Sequence, residues 1–296
     1  MKRLAIALVI ILACGVEAIG QEFRLPRPPA DLTLVPQRAG WLIEHYWDLA
    51  DIQALAESHE AASGSVSELE QAFVNYLSLF PLAESDSLCH ASVARLMQAA
   101  DGLSQAADGL SQAADGGAGT MDTILSLSEK YLFQLQSPMA NEAYFSHFVD
   151  AAAACPGLSQ MRRGDCEYWA HVIASNRVGS QVADFSFELA DGSEIQFSSI
   201  AGERLLLLFD ITCKDCQELI ARLRESAPAG VRVVAVAINT EMQSFLPFAA
   251  GLPESWVVGY DSTGAVNGVA FAIRRLPDVY RIAADGTVLD KHCSTF

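Results

Sequence analysis

The sequence predicts two folded parts: an all-α half over residues 21–178, then an α/β half over residues 179–296 with a mixed sheet flanked by helices. Three observations predict it. Apolar residues recur at helical spacing between Trp41 and Ile173. Beyond Gly179 the pattern switches to period two and to short apolar runs punctuated by Asp-Gly turns. The order of those runs, a hairpin, a strand–helix–strand unit and a final hairpin, is that of an α/β sandwich.

The chain has 296 residues, enough for two domains once a targeting segment is set aside, and its 51% hydrophobic content can build sizeable cores. A formal net charge of -17 argues against nucleic acid and anionic membrane surfaces as partners and keeps the protein soluble.

Met1-Lys2-Arg3 followed by the apolar stretch Leu4 to Ala13 is too short for an ordinary transmembrane helix and reads as a secretory signal, assigned to residues 1–20. Two endings compete. Ala18-Ile19-Gly20 before Gln21 suits signal-peptidase cleavage, whereas Ile11-Leu12-Ala13-Cys14 resembles a lipobox in which Cys14 is lipidated. Bulky Leu12 departs from that motif, which favours soluble release. The expected location is outside the cytoplasm, periplasmic or lipid-anchored at the cell envelope, with membrane attachment only through Cys14.

From Gln21 to Pro36 the prolines Pro26, Pro28 and Pro29 block helix. Trp41, Leu42, His45, Tyr46 and Leu49 then mark the first helix, and the Glu44-His45-Tyr46-Trp47-Asp48 cluster reads as a packed aromatic face rather than a site. Ser65 with Glu68 forms a capping box ahead of Leu69, Phe73, Tyr76, Leu77 and Phe80. Further helices carry Val93, Leu96 and Met97; Ile124, Leu125, Tyr131 and Leu132; Tyr144, Phe145 and Phe148; and Tyr168, Trp169, Val172 and Ile173. Gln98 to Ser104 repeats literally at Gln105 to Ser111 and starts again at Gln112. Each unit holds one leucine and a glycine, which costs a helix about 1 kcal/mol relative to alanine. The repeat is therefore read as a duplication lengthening a loop or a frayed helix end.

In the second half, Val182 to Leu189 and Glu194 to Phe197 make a hairpin about Asp191-Gly192. Leu205 to Asp210 is a strand buried on both faces. It leads into Cys213-Lys214-Asp215-Cys216 and a helical stretch through Leu223. Val231 to Ile238 is a second buried strand, Glu241 to Ala250 a helix, and Trp256 to Tyr260 a short strand or edge. Leu276-Pro277-Asp278 introduces the last hairpin, Val279 to Ile282 with Thr287 to Leu289.

The cysteines point to redox chemistry. A helix N-terminus presents unpaired N–H groups and partial positive charge, which favour thiolate and can take a cysteine pKa from roughly 8.5 to about 3.5–7.5. Spaced three apart, Cys213 sits at the exposed end and Cys216 one turn inside. Zinc would need a second pair of ligands, and no second C-x-x-C or paired histidine lies nearby; a structural disulfide is the blander alternative. With Cys14 set aside, Cys89, Cys155, Cys166 and Cys293 complete the set. Cys155 and Cys166 could pair across a helical corner or stay as two buried thiols.

On these residues the second half resembles the thioredoxin fold in its exported TlpA-like and alkyl-hydroperoxide-reductase-like form. The match rests on Ala183-Asp184-Phe185, Asp191-Gly192, Cys213-Lys214-Asp215-Cys216 and Leu276-Pro277. The first half resembles the helical domain of unknown function 5106, through Trp41 to Asp48, Tyr131-Leu132 and Ser137 to Glu142. The first resemblance implies a cis Pro277 opposite the cysteines and a substrate surface at Thr212, Leu276 and Pro277. It also implies thiol–disulfide exchange with exported proteins and an upstream redox partner, with Cys213 attacking, Cys216 resolving and no cofactor. The sequence departs from the family pattern in three places. Thr212 replaces the usual tryptophan, Leu207 falls where a buried carboxylate serves the inner thiol, and Leu276 precedes the proline. Asp210, Asp215 or a water would have to replace that carboxylate. A peroxiredoxin would carry proline and threonine or serine where Leu206 and Asp210 stand, so peroxidase chemistry is disfavoured. A non-enzymatic exported binding protein on a degenerate thioredoxin-like scaffold is the principal alternative.

Overall fold

Strand β3, Arg204–Phe209, is buried along its whole length in the interior of the α/β half. Its Leu-Leu-Leu-Leu run has no polar face because helices cover one side of the sheet and aromatic loops the other. The computed structural model describes residues 23–61, 66–108 and 119–293. Seven strands form one sheet in the order β2-β1-β5-β4-β3-β6-β7. They are β1 (Ser186–Leu189), β2 (Glu194–Gln196), β3, β4 (Arg232–Ala237), β5 (Val257–Tyr260), β6 (Asp278–Ile282) and β7 (Val288–Lys291). β3, β4 and β5 run parallel, and the two hairpins flank them antiparallel, giving the mixed sheet the sequence predicts.

Three details differ from the prediction. The first hairpin begins only at Ser186, because Asp184 turns the chain by accepting from the N–H and hydroxyl of Ser198. Phe197 belongs to a 3-10 turn, Phe197–Ser199, rather than to β2. β5 is interior, held between β1 and β4, and its Gly259 is required there: a Cβ would lie 2.4 Å from the Phe187 ring and 2.5 Å from the Glu188 carbonyl oxygen. Helices α8 (Lys214–Ser226) and α9 (Met242–Ala249) occupy the predicted segments.

The first half contains, among the described residues, α1 (Val35–His45), α2 (Ile52–Ala61), α3 (Glu68–Leu77), α4 (Asp86–Asp108), α5 (Thr120–Ser128), α6 (Glu142–Ala153) and α7 (Gln160–Ala174). They enclose a separate apolar core, and the predicted apolar residues of α3, α4 and α6 lie in it. The aromatic cluster is packed as expected, Tyr46 against Tyr76 at 5.1 Å and Trp47 against Tyr76 at 5.5 Å between centroids. Leu49 and Tyr168, assigned to helix faces, are exposed, because the chain leaves α1 in a turn after His45 and Tyr168 faces outward from α7.

The α3 cap also moves. Ser67, not Ser65, accepts from the N–H of Glu70, and Ser65 lies outside the described residues. Of the two readings of the repeat, the helix end holds over its first part: α4 continues through Asp108, Ala100 is in the core, and Asp101 accepts from the Gly157 N–H at 2.8 Å. The remainder, 109–118, lies outside the described residues, as do the signal segment 1–20 and Cys14. Cys89, Cys155 and Cys166 are buried thiols, so Cys155 and Cys166 take the unpaired alternative.

Candidate active site

The buried strand β3 ends at Phe209, and a tight side-chain turn follows. Asp210 Oδ1 accepts from the Thr212 N–H and from its hydroxyl, both at 2.7 Å. The Gln217 amide donates to the Ile211 carbonyl at 2.8 Å, and the Cys213 N–H donates to the Asp210 carbonyl at 3.2 Å. These bonds deliver Cys213 to the N-cap of α8 in an extended conformation, where its sulfur accepts from the Cys216 N–H at 3.3 Å. A sulfur in the capping position satisfies one of the orphan donors that open a helix.

The two thiols differ sharply. Cys213 is half-buried at the site's surface, whereas Cys216 is fully buried in the core that holds Leu219, Ile220, Leu207 and Val279. Burial, then the hydrogen bond with Cys213, pushes the Cys216 thiol up to about 12, while a backbone hydrogen bond at Asp210 acts in the opposite direction. Asp210 Oδ1 is taken up by Thr212 and the Asp210 charge adds to the rise at Cys216, while Asp215 is exposed on α8.

The opposite wall is the segment before β6. The Leu276–Pro277 peptide is cis, and the Cys213 thiol donates to the Leu276 carbonyl at 3.8 Å. Cys213, Cys216, Thr212, Leu276 and Pro277 therefore lie together, the juxtaposition that the thioredoxin resemblance implies.

Residues 11–176 match the family described as Domain of unknown function (DUF5106). The chain belongs to that family. The fold is similar to the crystal structure of a thioredoxin-like protein from Bacteroides caccae, with 22% identity and a TM-score of 0.76 over 94% of this chain and 96% of that one. The α/β half thus has the thioredoxin fold, joined to a helical DUF5106 half. Two shorter likenesses cover about two fifths of the chain. One is the C-terminal domain of an uncharacterized protein from Bacteroides fragilis, with 22% identity, 41% of this chain, 93% of that one and a TM-score of 0.39. The other is a thiol:disulfide interchange protein from a Bacteroides species, with 14% identity, 40% of this chain, 82% of that one and a TM-score of 0.36. Comparison with curated proteins gives no match.

The sequence does not foreshadow a charge cluster that joins the DUF5106 half to the thioredoxin fold behind Pro277. Glu142, in the first turn of α6, receives Arg274 Nη1 at 3.1 Å and His292 Nε2 at 3.3 Å on Oε1, and Lys291 on Oε2. The other nitrogen of His292 is 2.7 Å from Asp278 Oδ1, and the Tyr280 hydroxyl donates to Asp278 Oδ2 at 3.0 Å. With a carboxylate oxygen on each ring nitrogen, His292 satisfies both only as the imidazolium, which alone has two N–H donors. Burial opposes its charge, but the bonds to Asp278 and Glu142 outweigh it and raise the His292 pKa above 6.5. Burial likewise opposes the Glu142 carboxylate, yet the His292 bond and the Lys291 charge hold its pKa below the ordinary value. Each of these residues is ordinary in the sequence; only the asparagine-capped start of α6 and the strand entry at Asp278 bring them together.

Proposed function

We propose that the Cys213–Cys216 pair carries out thiol–disulfide exchange with partner proteins outside the cytoplasm. The observation that carries this reading is the asymmetry of the pair: an accessible sulfur capping α8 and a second sulfur buried directly behind it, with the Leu276 carbonyl alongside. The Cys213 thiolate attacks one sulfur of a partner disulfide, the partner's S–S bond breaks, and the departing sulfur takes a proton. Cys216 then loses its proton and attacks the Cys213 sulfur of the mixed disulfide, releasing the second partner thiol. Two electrons pass to the partner, and Cys213 and Cys216 are left joined. The reverse sequence oxidises a partner dithiol, and an upstream redox protein resets the pair in either case.

Export is part of the proposal and is supported by the basic start and short apolar stretch of residues 1–13. Cys14 is the lipid site if the lipobox is used. N-terminal sequencing of the mature protein distinguishes a blocked Cys14 from a start at Gln21, and an intact Met1 in the native host rejects export.

Equilibrating the full chain in graded dithiol–disulfide buffers tests the chemistry. The expected result is a reversible two-electron titration of Cys213 and Cys216, with a potential in the range of about -270 to -120 mV spanned by thioredoxin-fold oxidoreductases. A pair that never exchanges with the buffer would leave the scaffold reading in its place.

A further inference from the structure

The wall of the cysteine site is tied to the helical half at successive points. The Asn176 amide donates to the Ala270 carbonyl at 2.8 Å, and the Ala272 N–H donates to Ser175 Oγ at 3.2 Å. The Ala272 side chain packs against the helical core rather than the sheet's own. Arg274 lies over the Phe133 ring and bonds both the Phe133 carbonyl and Glu142. Asp278 reaches Glu142 through His292. The residues at the centre of this stretch are Leu276 and Pro277, and the Leu276 carbonyl is the one that meets Cys213.

We infer that Glu142 is a positioning residue for the redox site: from α6 it fixes Arg274 and, through His292, Asp278, and so holds the intervening Leu276–Pro277 wall against Cys213. This gives the DUF5106 half a part in the chemistry without contact with the sulfur. The inference rests on the proposed role of Cys213. Glu142 suits the task because one carboxylate gathers Arg274, Lys291 and His292: Arg274 lies two residues before Leu276, and His292 grips Asp278 directly after Pro277. The arrangement is a buried, hydrogen-bonded ion network, the kind whose members couple energetically when in contact. The groups facing His292 are Asp278 and Tyr280 of β6, Glu142 of α6 and its neighbour Lys291, so its charge is set from both halves.

The test is site-resolved alkylation of the reduced full chain by iodoacetamide, read by mass spectrometry. In Glu142→Ala the wall loosens and Cys213 labels about fivefold faster, a change of the size expected when contacting residues are uncoupled. Buried Cys89 and Cys166 stay protected as in the parent. Glu142→Gln, which keeps an acceptor oxygen for Arg274, restores most of the slow labelling. Arg274→Lys, which keeps the charge but loses the planar fork, gives the same pattern as Glu142→Ala and is read in its place if that variant does not fold. Unchanged labelling of Cys213 in both variants overturns the inference. So does a rise shared by Cys89 and Cys166, which would make Glu142 an ordinary structural residue. Because iodoacetamide needs only a thiol, the result stands apart from the buffer titration: an inert disulfide there rejects the exchange chemistry and leaves the labelling pattern to judge the wall.

Discussion

Arg274 stacks on Phe133: its guanidinium carbon stands 3.4 Å from the ring centroid while Nη2 donates to the Phe133 carbonyl. Stacking, a carbonyl bond and the Glu142 ion pair use one planar group from three directions, which an ammonium cannot reproduce. Arg274→Ala leaves Glu142 short of a buried partner and should lower stability by about 3 kcal/mol, the scale for breaking a buried pair. Arg274→Lys should fall between parent and alanine variant. Urea unfolding measures both, and a loss within error for Arg274→Ala would show that Lys291 and His292 suffice.

The second prediction concerns the order of the sulfurs. Cys216→Ser should accumulate mixed disulfides with partner proteins, since attack by Cys213 proceeds and resolution fails; Cys213→Ser should trap little. Because Cys216 is pushed up to about 12 and Leu207 supplies no carboxylate, resolution in the parent should accelerate with pH. The expected slope is about tenfold per unit well below the thiol's pKa, where the thiolate fraction rises in proportion. Stopped-flow decay of a mixed disulfide with a small aromatic thiol reads it. A flat profile would mean that another base serves Cys216.

Third, the joint between the halves should weaken at both ends of the pH scale. His292 has a raised folded pKa, so its contribution is full below about 6.5 and is lost as pH rises through the folded value. Glu142 has a lowered one, so its contribution is present above its unfolded pKa and lost as pH falls through the folded value. The thermal midpoint of the parent should therefore exceed that of His292→Gln most at mildly acidic pH, with the gap closing in alkali. A gap that widens toward alkali would mean that His292 stabilises the joint as the neutral imidazole instead.

Fourth, Gly259→Ala should destabilise the sheet by about 1–3 kcal/mol, the range for overpacking a filled core. The added methyl meets Phe187 and the backbone oxygen of Glu188, and the latter cannot step aside without parting β1 from β5. A thermal midpoint equal to the parent's would show that β1 shifts freely.

Much of this architecture was legible in residues that report on their own neighbourhood. Leu205 to Phe209 announce a strand buried on both faces, and Cys213 and Cys216 announce a helix start, whereas the wall at Leu276-Pro277 was legible only through the thioredoxin resemblance. β5 was harder, since Trp256 to Tyr260 are too few to reveal neighbours on both sides. Ser67 was missed because Ser65 offers an equally good capping pattern two residues earlier. The Glu142 cluster could not have been found: its members lie up to 150 residues apart in sequence, and nothing in their local spacing links α6 to β6. Leu207 stands, buried, where the thioredoxin resemblance would place a carboxylate, and Cys216 lies in the same apolar core.

Ala272 packs among the side chains of the helical half although it belongs by sequence to the other. A gene spliced at residue 179 would thus separate two stretches of polypeptide without separating two bodies. Any recombination event that paired this thioredoxin fold with a foreign helical partner would strand Arg274, Lys291 and His292 opposite a surface not selected to receive them. A substitution at Phe133 or Glu142 is therefore felt more than a hundred positions downstream, at Arg274.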